Sequence, residues 1–172
     1  MASRIKKFVE LGASRQRLLA RIWLLLGWAR LRLVRNGLSH FTAGLTLHRS
    51  TPSVVPITGD QLAQAIELGR LVSIAARYTP WQSRCLTQVL VLQQLLEQRQ
   101  IPGHFSLGVR KGRGEAEQPF NAHAWLQCGN TIVNGAVVDD TYTTLSVFSW
   151  GLRESRQRSL HALSAQRSAH PP

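Results

Sequence analysis

The sequence predicts an α+β protein in which helices come first and pack on a small antiparallel sheet. Three observations carry that reading. Apolar residues recur at helical spacing through three segments, the last ending near Gln98. The period then drops to that of a strand, most cleanly in FNAHAWLQC, residues 120–128. Directly after it, Gly129-Asn130 fits a hairpin turn with glycine first, and TIVNGAVV follows as the returning strand.

Residues 14–35 read as a helix, with Leu18, Ile22, Leu25, Leu26, Leu31 and Val34 at roughly helical spacing and Gly37 as its stop. Arg21, Arg30, Arg32 and Arg35 interrupt it, so no apolar run reaches the ~18 residues of a membrane span. HRSTPSVVPITGD, residues 48–60, carries two prolines and a glycine and reads as a connector. A second helix is expected over 61–77, with Leu62, Ala65, Ile66, Leu68, Leu71, Val72 and Ala75 on its apolar side. Thr79-Pro80 ends it. The third helix is expected over 83–98, packed through Leu86, Val89, Leu90, Leu92, Leu95 and Leu96. IPGHFSLGVR, 101–110, opens on a Pro-Gly break and becomes a strand. KGRGEAEQP, 111–119, is a polar loop, expected to be mobile over the cleft, and TYTTLSVFSW, 141–150, is a last strand. Three regions follow: a basic amphipathic helical extension over 1–50, a core over 51–150, and a basic C-terminal helix or loose tail over 151–172.

The bulk numbers narrow the partners. The chain has 172 residues, 44% hydrophobic, which suffices for one packed core. Twenty-one basic residues against 9 acidic give a formal charge of +12, which favours acidic partners. No nucleic-acid motif accompanies the charge, so nucleic acid is not expected as the partner. Two cysteines make no disulfide framework, and the N-terminus lacks the pattern of a secretory signal, so a reduced, cytoplasmic setting is expected. No cofactor or metal is expected. The cysteines and histidines lack the close-spaced pairs of a structural zinc site, and GVRKGRGE is no phosphate loop.

The chemistry centres on Cys85. With Ser83 as N-cap, Cys85 lies at the second helical position, among free N–H groups at the positive end of the helix dipole. Such a setting favours thiolate over thiol and can hold an oxyanion. A start at Thr79, in a capping-box pattern, would instead push Cys85 into the second turn. The bland alternative is a small buried hydrophobe. The partner candidate is His123, on the more polar side of its strand, where it can act as general base and then general acid. The third group, which should orient the imidazole, is sought on the strand after the turn, where Asn134 or Asp139 could serve. Regular pairing about Gly129-Asn130 sets Ala136 opposite His123 and Asn134 diagonally on the same face. Asp139 then falls on the other face unless a bulge shifts the register, and Gly135 would permit one. Trp81, Gln82 and Trp125 flank these groups and are expected to bind substrate.

These motifs together resemble a known family. PWQSRCLTQVLVLQQLLEQRQIPGHFSLGV followed by NAHAWLQCGNTIVNG is similar to the transglutaminase-like B2 proteins of lasso-peptide biosynthesis. The likeness covers about Ala65 to Tyr142. It implies a papain/transglutaminase-like fold and a cysteine peptidase that cuts the leader from a ribosomally made precursor, with Cys85 as nucleophile and His123 as base. A macrolactam-forming cyclase would then act on the freed amine. Many relatives carry an aspartate soon after the Asn that ends this hairpin, where the present chain has Gly135, so against the family pattern the third member is Asp139 first, then Asn134, then Asp140. Nothing before Ser83 reads as the β-rich leader-recognition module of some relatives, so the chain resembles the stand-alone form, with a separate leader-binding protein as partner. Two alternatives stand beside this one: a transglutaminase or amidase acting on glutamine side chains, and a non-catalytic peptide-binding scaffold.

Overall fold

A computed structural model describes residues 12–48, 56–112, 120–136 and 142–151. The described elements are α1 (Ala13–Asn36), a single turn α2 (Ser39–Thr42), β1 (Thr46–His48), α3 (Gly59–Ala76), α4 (Cys85–Glu97), β2 (Gly103–Lys111), β3 (Phe120–Cys128), β4 (Thr131–Asn134) and β5 (Thr143–Trp150). The architecture is α+β, as the sequence predicts: α1, α3 and α4 pack together on one antiparallel sheet of order β1-β5-β2-β3-β4. The short strand β1 and the turn α2 have no counterpart in the elements that the sequence pattern predicts. β1 pairs with β5, opposing Leu47 to Phe148, and so covers that edge of the sheet.

Parity sorts the sheet into two faces. Phe105 pairs with Leu126 and with Phe148, and Leu107 with Ala124, so these side chains share the face that meets the helices. Ser106 pairs with Trp125, and Gly108 with His123, on the opposite face. The readings of a mobile loop over 111–119 and a basic tail over 151–172 fall mostly on residues outside the described ones.

The helix α4 is the centre of the molecule. Thr87, Val89 to Gln93, Leu95 and Leu96 are all buried, so the helix is covered nearly all round. Its apolar residues lie on nearly every side and must be enclosed, and the buried Gln93 is satisfied by donating to Glu97 at 2.8 Å. α1 and α3 cover it above, and β2 and β3 lie below. The N-terminal helix, expected as an extension, contributes Ile22, Leu26 and Ala29 to this same core. Its Leu31 and Val34, placed on the apolar side by spacing alone, are exposed. So is Ile66 on α3.

Helix α3 begins with a capping box: Thr58 Oγ1 accepts from the Gln61 N–H at 3.2 Å, and Gln61 Oε1 accepts from the Thr58 N–H at 3.0 Å. Farther along, Gly69 lets the helix sit on the sheet backbone. A Cβ there would lie 2.1 Å from the Val133 carbonyl oxygen and 3.6 Å from Leu92. Gly69 and Leu92 stand equally far from the helix ends joined by residues 77–84, so α3 and α4 form an antiparallel hairpin. One turn past Gly69, Ser73 accepts a hydrogen bond from Asn134 at the end of β4. The start of α4 and the end of β4 therefore lie at the same end of the molecule.

Candidate active site

Cys85 is the first residue of α4, one step nearer the helix start than capping by Ser83 implies. The Ser83 hydroxyl is occupied elsewhere, 2.9 Å from Thr79 Oγ1, and the Ser83 carbonyl accepts from Gln88 Nε2 at 2.9 Å. Arg84 takes the cap position in an extended conformation and makes no side-chain cap bond. The first bond of the helix runs from the Gln88 N–H to the Arg84 carbonyl at 3.2 Å. The N–H groups of Cys85, Leu86 and Thr87 thus precede the helical ladder and point out of its positive end.

The two thiols differ sharply. Cys85 is half-buried at the margin of the core, whereas Cys128 is fully buried in β3. Burial pushes the Cys128 thiol up to about 12, which keeps it protonated and unreactive.

His123 is half-buried in β3, with Nε2 2.8 Å from the carbonyl oxygen of Gly135. A carbonyl only accepts, so Nε2 carries the proton, and in the neutral ring Nδ1 holds the free lone pair. This tautomer is assigned from the bonding partner. The ring is near-parallel to Trp125, 6.2 Å between centroids and 17° between planes, and lies 5.3 Å from Tyr142. Trp125 in turn lies over Gly108, where a Cβ would be 2.9 Å from the indole. Arg110 stands above the Tyr142 ring at 5.6 Å. Tyr142 and the Gly135 carbonyl were not singled out in the sequence. Nothing in TYTT marks the tyrosine, and a main-chain acceptor leaves no residue-type signal.

Asn134 is placed differently from the regular hairpin. The pairing of β3 with β4 shifts after Cys128–Thr131 and Gln127–Ile132, and Asn134 pairs with Leu126. Val133 is the extra residue. The slip moves Asn134 from the His123 face to the helix face, where it is buried and donates through Nδ2 to Ser73 Oγ at 3.0 Å. Asp139 and Asp140 lie outside the described residues.

Trp81 and Gln82 form the approach to Cys85. The Trp81 ring packs on Gly27 of α1, where a Cβ would be 2.9 Å away, and tilts against Trp23 at 4.9 Å. Trp23 Nε1 donates to the Tyr78 carbonyl at 3.2 Å, and Arg30 to the Gln82 carbonyl at 3.1 Å. Trp81 therefore fastens the segment before Cys85 to the N-terminal helix. The Gln82 side chain is exposed and accepts from Arg84 at 3.4 Å.

The structure thus brings Cys85, His123 and Gly135 to one end of the helix–sheet sandwich. It does not join the first two: among the described residues no hydrogen bond links the Cys85 sulfur to the His123 ring. The thiol borders the helical core, while His123 projects from the far face of β3. Among the described residues there is also no cluster of three or more His, Cys, Asp or Glu that could hold a metal.

The model of the Transglutaminase-like superfamily matches residues 24–147, and the chain belongs to that superfamily. The match runs from within α1 to within β5 and includes both Cys85 and His123. Among curated proteins, the Microcin J25-processing protein McjB of Escherichia coli is 34% identical over 65 residues. That segment is 38% of this chain and 28% of McjB, so the chain matches well under half of that relative. No solved structure matches. No helix among the described residues is long and apolar enough to cross a membrane.

Proposed function

We propose that this protein is a cytoplasmic cysteine peptidase that removes the leader from a ribosomally synthesised lasso precursor peptide. It would act with a separate leader-binding protein and a macrolactam-forming cyclase. The superfamily and the likeness to a microcin-processing protein support the class of reaction. The observation that carries the mechanism is Cys85 at the first position of α4, half-buried, with uncapped backbone N–H groups around it.

The chemistry follows from those groups. Nδ1 of His123 takes the thiol proton, and Sγ attacks the carbonyl carbon at the leader–core junction. The N–H groups at the start of α4 receive the oxyanion. As the C–N bond breaks, Nδ1 returns the proton to the departing amine of the core peptide. Water, deprotonated by the same nitrogen, then hydrolyses the thioester and releases the leader as a carboxylic acid. The step requires Nδ1 and Sγ to come within hydrogen-bonding reach. The two groups lie on opposite sides of β3 in the structure, so the proposal requires that substrate binding bring them together.

The test combines the purified chain with a candidate precursor and leader-binding protein and weighs the products. The expected result is cleavage at one junction, abolished in Cys85→Ala and in His123→Ala while both variants stay folded. Full turnover by either variant would refute the reading. A second reading, a peptide-binding scaffold with an unassembled pair, is favoured by the missing thiol–imidazole hydrogen bond. A maleimide probe at neutral pH separates the two. A working site labels Cys85 rapidly and Cys128 hardly at all, whereas a scaffold labels both slowly.

A further inference from the structure

We infer that the main-chain carbonyl of Gly135 is the group that orients the His123 imidazole, so that a backbone dipole stands where a carboxylate or amide side chain was expected. The inference deepens the peptidase reading by naming the positioning group of the same site, but its geometry does not depend on that reading.

Four observations carry it. The contact itself is short, 2.8 Å from Nε2 to the carbonyl oxygen. Gly135 has φ +75°, in the left-handed region that favours glycine. A Cβ on it would lie 2.4 Å from the Ala124 carbonyl oxygen and 2.9 Å from the Trp125 Cα. Both are backbone atoms of the strand that carries His123, and neither can step aside as a side-chain tip could. This backbone therefore excludes an aspartate at the place where its side chain would otherwise be looked for. Finally, the nearest side-chain candidate is committed: Asn134 is turned to the helix face and bound to Ser73.

The local fold explains how the carbonyl reaches the ring. The extra residue Val133 slips the register of β4. The left-handed Gly135 then turns the chain back against Ala124 and Trp125, which presents its oxygen to the face from which His123 projects. Trp125 and Tyr142 flank the ring and restrict its rotation. A carbonyl fixes the tautomer as well as a carboxylate does, since both accept from Nε2–H. It supplies a dipole rather than a full charge to the imidazolium that forms during acylation.

The test reads the tautomer and the contact, not activity. The full chain is prepared with 15N-histidine and 13C-carbonyl glycine, and His123→Asn identifies the ring's signals by their loss. His123 is expected to be protonated at Nε2 in its neutral form and to show a 15N–13C dipolar contact to a glycine carbonyl. Added 15N-alanine assigns the contact, because the Gly135 carbonyl is bonded to the Ala136 nitrogen and only Gly12–Ala13 repeats that pair. Both features are expected to persist in Asp139→Asn and Asp140→Asn. A ring protonated at Nδ1, an absent contact, or a tautomer that switches in either aspartate variant would overturn the inference. If instead the protein cleaves no precursor while these signals appear as expected, the peptidase reading fails and the positioning role stands.

Discussion

Gly69→Ala should loosen the whole assembly, because that glycine is where α3 meets the backbone of β4. An added Cβ would sit 2.1 Å from the Val133 carbonyl oxygen, and real Cβ atoms essentially never come closer than 3.0 Å to such a neighbour. The obstacle is main chain, so α3 must retreat by about 1 Å or β4 must bend. Overpacking of this kind costs roughly 1–3 kcal/mol, and a rigid obstacle puts it at the upper end. Alanine regains about 1 kcal/mol of helix propensity over glycine. The net destabilisation should be about 2 kcal/mol, which lowers the melting temperature of a chain this size by roughly 4–8 °C. Urea unfolding followed by circular dichroism measures it. The retreat also pulls Ser73 from Asn134 and disturbs the loop that presents Gly135 to His123, so any precursor cleavage should fall more steeply than stability alone requires. A Gly69→Ala protein as stable as its parent, or more so, would refute this account of the α3–β4 contact.

Other perturbations test the remaining parts. Ile22→Ala on α1 should cost about 2–5 kcal/mol, since the side chain is fully buried against the other helices. A loss below about 0.5 kcal/mol, the size of a typical surface change, would show α1 to be a detachable extension. His104 is buried beside β5, and its pKa is depressed below 6.5, first by burial and then by the neighbouring His48. The folded state therefore resists a proton that the unfolded chain accepts, so stability should fall as pH drops below about 6.5. His104→Gln should flatten that part of the pH–stability curve, and an unchanged slope would contradict the assignment.

The parts of the fold that could be read in the sequence are those where period and punctuation agree. The strand Phe120–Cys128 and the turn at Gly129 were placed to the residue, because alternation and a hairpin glycine coincide there. The helices were found with their ends off by one or two residues. At α4 the difference matters. Ser83 is a good cap by type, but Thr79 holds its hydroxyl, and only the tertiary arrangement shows that. Leu31 and Val34 look like core by spacing alone, yet the buried side chains of α1 run only from Leu19 to Ala29. The site was half legible. Cys85 and His123 stand out by residue type, but the register slip at Val133 leaves no mark in composition. One extra residue reverses which face Asn134 serves.

The clasp between α1 and the residues preceding Cys85 gives the N-terminal helix a mechanical role. Trp23, Gly27 and Arg30 grip Tyr78, Trp81 and Gln82, and Cys85 follows three residues after the last of these. Because α4 is walled in on all sides, its buried length cannot yield, and only the strap that leads into it has freedom to respond. Tension or release applied to α1 between Trp23 and Arg30 would arrive at the sulfur through this strap, like a tug on a bell-rope.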